Sequence, residues 1–495
     1  MIQYLHTWIF TWQRRLALTS FVLLLAVGLT IFWLRQLDVA TVEQMSNGEI
    51  MLRIFGIPAA VSLMTFALIT VAGNMPAKAE AKSLASPSNV VSSEPYKVQV
   101  VGVQWLNPLV RRDYPTEWQL LWTLGLAKPN KKDEKVRDKP EKFTSVQPIA
   151  GVAFSWNGRN SLKGILENYL DETLKPIGRG YIMDPSYFYT IQPEETNKWR
   201  ELHGIHVQFA MPAVPQLNPQ QATEIVRKQF RDEFEFYRVP KLSTANIPAD
   251  VHTTAGGASV GFTSLAAAMD YLQAHPDKTA WVMGWDVPDF PKDEQMSENS
   301  TLLILAGPTY NTEREPLAWI GRPAVREAKA FESQEGQSRI AQAWQAAIRG
   351  ASEQAATTPD KIGYVIHDAG HGSDASGARL GMLGQALTTP LPELDFTKQT
   401  FNTAKLLGDM RAGSAITNIA LAIAWSHQKG APVLVAGTTE TERATAVVVT
   451  PPAKPRLVDH DKDWFRARGE GTAYLPWWGM RKDADLNKYM QGYSY

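Results

Sequence analysis

The stretch Gly413–Pro451, GSAITNIALAIAWSHQKGAPVLVAGTTETERATAVVVTP, decides how this chain is read. Its first part, up to Lys429, is a run of small and apolar residues that suits a helix buried on every side, and Gly430 is the kind of residue that closes one. PVLVAG and ATAVVV follow as two short β-branched runs on either side of the polar turn TTETER, which is the signature of paired strands. A similar order stands upstream. Gly257–Gln273, Ala280–Trp285 and Ser300–Ala306 read as helix, strand, polar segment, strand, and so do Gly413–Gln428, Pro432–Gly437 and Ala444–Val449. The echo suggests a duplicated α/β unit. Around these copies the pattern predicts strands at Tyr96–Val103, Ile205–Ala210 and Ile362–Ile366, and helices at Gly158–Leu170, Gln220–Tyr237 and Lys329–Arg349. Strands alternating with helices indicate a layered α/β body.

The chain has 495 residues, enough for a large core. Its 50 basic and 50 acidic residues balance, which gives no argument for nucleic-acid binding. There is no cysteine, so disulfides, thiolate nucleophiles and cysteine-ligated metals are excluded. Near the N-terminus, Leu16–Leu34 and the run at about 54–73 each have the length and apolarity of a transmembrane helix. Arg14 and Arg15 precede the first run, and Lys78 and Lys82 follow the second. That charge placement predicts a multi-pass inner-membrane protein with its soluble body in the cytoplasm. The expected organisation is a membrane anchor over 1–76, an Ala, Ser and Pro-rich linker over 77–94, and a body in two parts, 95–253 and 254–495. KPNKKDEKVRDKPEK, Lys128–Lys142, reads as a solvated loop.

AGGASVGFTSLAAAMDYL, WVMGWDVPDFPKDEQMSENSTLLILAG, IGYVIHDAGH and GSAITNIALAIAW with PVLVAGTTETERATAVVV together resemble the type VI secretion lipase adaptor family, formerly a domain of unknown function. The resemblance implies a protein of a Gram-negative bacterium that is not an enzyme. It would bind a phospholipase effector and help load it onto the secretion spike, with no cofactor and no resident metal. The second half is also similar, more remotely, to the thiolase and ketoacyl-synthase superfamily, which implies a duplicated, thiolase-like layered core. His371-Gly372-Ser373 resembles the histidine-glycine turn of that group, and Gly413-Ser414 its glycine-rich segment. Those enzymes attack with cysteine, which this chain lacks. The rival reading is an acyl-transfer or lipid-modifying enzyme working with serine or histidine instead.

Five residues are candidates for a degenerate site: His252, Ser259, His367, Asp368 and His371. In GYVIHDAGHG, Gly363–Gly372, an apolar strand ends in histidines, an aspartate and glycines, which offers acid–base or metal chemistry. The glycines favour a tight turn over a metal-binding helix, with Asp368 capping nearby amides. Gly256-Gly257-Ala258-Ser259 opens a helix but matches neither a Walker loop nor GxGxxG, and the chain has no nucleophile elbow. An enzyme would need His371, His252 and Ser259 within mutual reach. The acidic run from Asp286 to Glu298, including Asp289, Asp293 and Glu294, reads as a solvated face or partner surface. Trp464, Arg466, Trp477 and Trp478 combine flat aromatic area with guanidinium donors, the chemistry favoured where proteins dock.

Overall fold

The computed structural model describes residues 94–106, 116–127, 154–155, 158–159, 161–183, 204–234, 248–287, 298–311, 315–455, 457–458 and 478. From Glu94 onward the chain forms one compact unit. The first half supplies β1 (Lys97–Leu106), α1 (Thr116–Thr123), the short pair β2 (Phe154–Ser155) and β3 (Gly158–Arg159), and α2 (Leu162–Met183). It continues with β4 (His206–Pro212), α3 (Pro219–Glu233), β5 (Asp250–Gly256), α4 (Val260–Ala274), β6 (Thr279–Asp286) and β7 (Asn299–Ala306). The second half supplies β8 (Ala318–Gly321), β9 (Ala324–Glu327), α5 (Arg339–Gln354), β10 (Tyr364–His367), α6 (Asp374–Leu387) and β11 (Thr400–Asn402). After these come α7 (Thr403–Leu407), α8 (Ser414–Lys429), β12 (Val433–Gly437) and β13 (Arg443–Thr450).

Most of the strands join one sheet in the order β11-β10-β12-β13-β8-β1-β7-β6-β4-β5, with β9 branching onto β13. The order reads alike from either edge. β5, β4 and β6 pair parallel, then β7 and β1 antiparallel. β11, β10 and β12 pair parallel, then β13 and β8 antiparallel. β1 and β8 meet antiparallel at the centre. The helices repeat as well, since α2, α3 and α4 take the places of α5, α6 and α8. The echo in the sequence therefore belongs to a complete duplication.

Alternation along each strand separates three cores. Val282, Leu303, Leu305, Val433, Val435, Val447 and Val449 face α4 and α8 in a central layer. Trp281, Met283, Leu302 and Ile304 face the other way onto α2 and α3. Leu434, Ala436 and Val448 face α5 and α6. Trp105, Trp118 and Trp122 are buried in the central layer.

The membrane assignment is corrected. Among the described residues no helix is long and apolar enough to cross a membrane. The longest, α2, carries Lys163, Glu167, Asp171, Glu172 and Lys175. The apolar α8 is buried against protein. No membrane helix belongs to the described architecture; the runs expected as helices at 16–34 and 54–73, with the linker over 77–94, lie outside the described residues. The expected multi-pass inner-membrane location therefore has no support among the described residues.

Candidate functional site

The ends of β6, β10 and β12 converge on the N-termini of α4 and α8, where the polar residues of the central layer gather. Asp368 follows β10 and is 5% exposed. The Thr438 amide (2.7 Å) and hydroxyl (2.8 Å) donate to its Oδ1, and the Ser414 hydroxyl (3.2 Å) to its Oδ2. Burial pushes the Asp368 carboxyl up against the lowering effect of these donors. One side chain therefore binds the end of β10 to the start of α8 and to the turn after β12.

A second buried carboxylate braces the same helix. Asp286 accepts from the Arg411 guanidinium at 2.7 Å and from the Ala412 amide at 3.0 Å. Arg411 also donates to the Val287 carbonyl at 3.0 Å. These bonds hold Arg411 at φ 41°, a left-handed conformation that costs a non-glycine residue about 1–2 kcal/mol. Burial raises the Asp286 carboxyl, with Arg411 opposing. Two carboxylates thus sit at the positive end of the α8 dipole.

The remaining candidates occupy separate environments. His367 is 1% exposed; its Nδ1 accepts from the Ala369 amide at 3.3 Å, and burial lowers its pKa to about 4. Gly370 and Gly372 adopt φ 79° and 73°, so the expected glycine turn is present, and it leaves His371 exposed. Ser259 lies immediately before α4 and donates to Glu440, which pairs with Arg443 at 3.3 Å. His252 lies on β5, where its Nε2 is 3.0 Å from Asp250. The other Asp250 oxygen is 2.7 Å from Nδ1 of His206 on β4. Burial lowers the His206 pKa, with Asp250 working against it. Ser259 and His252 have different carboxylate partners, and His371 stands on the exposed turn. Among the described residues none of the three hydrogen-bonds to another.

Two acidic residues read as solvated prove buried. Asp286 is 1% exposed and Glu298 accepts from the Tyr169 hydroxyl within the core. The charge pattern alone hid this, because Asp286 ends a strand whose neighbour Trp285 is also buried. Asp289, Asp293, Glu294, Trp464, Arg466 and Trp477 lie outside the described residues. Trp478 is 9% exposed; its backbone pairs with Val103 (2.8 and 3.0 Å) and its ring meets His427 edge-on.

This is a duplicated α/β body whose central buried carboxylates brace one of its two inner helices, α8. Among solved structures it is similar to the ketosynthase domain KS8 of OzmH from Streptomyces albus JA3453, at 13% identity over 76% of this chain and 100% of that one, with a TM-score of 0.44. It is likewise similar to the module 6 ketosynthase of the bacillaene synthase from Bacillus subtilis 168. That match has 11% identity over 74% of this chain and 72% of that one, with a TM-score of 0.46. No curated protein matches the chain. Residues 317–451 match the family model described as type VI lipase adapter protein Tla3, C-terminal. The matched segment runs from just before β8 to just after β13, which is the second half of the duplication. The resemblance read in the sequence holds over that segment.

Proposed function

We propose that the chain is a non-enzymatic adaptor that binds a phospholipase effector and helps load it onto the type VI secretion spike. The match of residues 317–451 to the lipase adapter model carries this reading. Two features of the chain agree with it. There is no cysteine to form an acyl thioester. Asp368, Ser414, Thr438, Asp286 and Arg411 bond to one another and to the backbone. The surface for the effector is assigned to the acidic loop with Asp289, Asp293 and Glu294, and to the C-terminal segment with Trp464, Arg466, Trp477 and Trp478. Trp478 anchors the latter to β1.

Affinity purification of the native protein, with mass spectrometry of what it retains, tests the proposal. A stoichiometric lipase, with or without the spike, is the expected result. Recovery of the protein alone, together with acyl-ester or thioester turnover that His371→Ala abolishes, would replace the adaptor with an enzyme.

A further inference from the structure

We infer that the first half carries a divalent transition-metal site of the zinc class, built from His206, Asp250 and His252. β4 and β5 pair in parallel with His206 opposite Asp250 and Gln208 opposite His252, so all four side chains share one face of the sheet. One ligand atom from each of His206, Asp250 and His252 falls within 4.8 Å of the others. A tetrahedral zinc ion with bonds of about 2.0–2.1 Å holds its ligand atoms roughly 3.3 Å apart, so small rotations of exposed side chains suffice. Two imidazoles and a carboxylate form a nitrogen and oxygen donor set that zinc accepts, with a fourth position left for water or another ligand.

The surroundings fix the buried ligand and leave the others accessible. His206 is 4% exposed and stacks on Tyr271 of α4, with ring centroids 3.7 Å apart and planes at 3°. Its Nε2 accepts from the Gln208 amide nitrogen at 2.9 Å, so Nδ1 carries the ring proton toward Asp250 in the metal-free chain. Ligation through Nδ1 releases that proton and turns the Gln208 amide so that its oxygen accepts from Nε2–H. The side chains of Asp250 and His252 are 59% and 54% exposed, so an ion can reach them from solvent.

The duplication shows that the fold does not require these residues. The strand registers align Ala280 with Val433 and place Tyr364 where His206 stands. Tyr364 stacks on Trp425 of α8, as His206 stacks on Tyr271 of α4. The register of β10 and β11 then places Ile366 and Phe401 at the positions of Gln208 and His252. Two residues before Phe401, Gln399 takes the position of Asp250. Where the second half has tyrosine, isoleucine, glutamine and phenylalanine, the first has histidine, glutamine, aspartate and histidine. An aromatic stack alone would stabilise this corner equally well.

The test uses the full chain, stripped with a chelator and titrated with zinc by calorimetry and with cobalt(II) by visible absorption. One equivalent of zinc is expected to bind, with cobalt giving d–d bands of a low-coordinate nitrogen and oxygen site. His252→Ala and Asp250→Asn are each expected to weaken binding by about 10-fold or more. His206→Tyr copies the second half's solution, and is expected to keep the thermal midpoint of the metal-free chain while losing the metal. The proposal is overturned by absence of stoichiometric binding. It is equally overturned by binding that survives all three substitutions, because the three residues would then form only a hydrogen-bonded cluster.

Discussion

The two halves solve the same packing problem with the same geometry and then differ in their chemistry. Phe262 of α4 lies over Gly437 of β12, and Ile416 of α8 lies over Gly284 of β6. Each inner helix therefore packs on a strand of the opposite half; the first contact needs a glycine because a Cβ would fall 2.6 Å from the Phe262 ring, and the second is tight, with a Cβ 3.1 Å from Ile416. The halves diverge where β4 and β10 end. The registers equate Ala210 with Asp368 and the helix starts equate Val260 with Ser414. The first half closes this place with an apolar cluster of Ala210, Val260 and Ala412. The second closes it with the Asp368 carboxylate bonded to Ser414 and Thr438. Shape is set by how helices cross, so both copies share it. The choice of apolar or polar closure at one position leaves the crossing unchanged, so the copies were free to differ there.

Asp368→Ala is the strongest way to break that comparison. It leaves three buried donors without an acceptor and is expected to cost about 3 kcal/mol by chemical denaturation. Adding Ser414→Val imports the first half's solution at one of the three donors and is expected to recover part of the loss. If the single variant is as stable as the parent, Asp368 is not the brace described above.

The pH dependence separates the halves next, because the buried imidazole His367 stands where the first half has Phe209. The unfolded imidazole takes up a proton as the pH falls below its ordinary value of 6.5, whereas the folded one resists until about 4. The unfolded state then binds more protons. The stability due to a neutral His367 is complete above pH 6.5 and is lost as the pH falls toward 4, by about 3 kcal/mol in all. Asp368, held above its ordinary value, acts with the opposite sign above pH 4. The difference between the parent and His367→Gln isolates the histidine. Equal slopes in the two proteins between pH 4 and 6.5 would refute the assignment.

Gly437→Ala and Gly284→Ala test the shared crossing. The first drives a methyl into a rigid ring edge and is expected to cost about 2 kcal/mol, with Phe262→Leu restoring some of it. The second needs Ile416 to yield only a few tenths of an ångström and is expected to cost less. Equal melting shifts would show that the two crossings are more alike than their contacts.

The smallest expected effect is a gain. α6 contains Gly377 and Gly381, and a Cβ added at either meets nothing within 4 Å. The equivalent helix α3 has no glycine. Alanine at each position is expected to stabilise α6 by roughly 0.5–1 kcal/mol, measured in urea.

Much of the fold was legible in the sequence. The runs PVLVAG, ATAVVV and STLLILA became β12, β13 and β7, because fully buried strands are near-continuous apolar runs. Gly430 closes α8 at φ 71°, as its position promised. Other elements were hidden for identifiable reasons. α6 begins DASGARLG, whose glycines mask a helix that Ser373 caps. α5 starts at Arg339, ten residues later than the pattern at Lys329 predicted, because a turn at Gly336 and the Ser338 cap precede it. β8 and β9 are only four residues each and carry too little periodicity to be seen. At the candidate site, the turn around Asp368 was readable from its glycines. The roles of Asp286 and Arg411 were not, because their partners lie 125 residues apart.

The sequence by itself determined that there is a layered α/β body, that part of it repeats, and that no chemistry of cysteine occurs in it. These follow from local periodicity and composition, which need no knowledge of distant contacts. Only the tertiary structure decided that the duplication is complete, that Asp368 and Asp286 brace one helix, and that His206, Asp250 and His252 share a corner. Each of those depends on residues far apart in the chain, brought together by sheet order and by the crossing of two helices over opposite glycines.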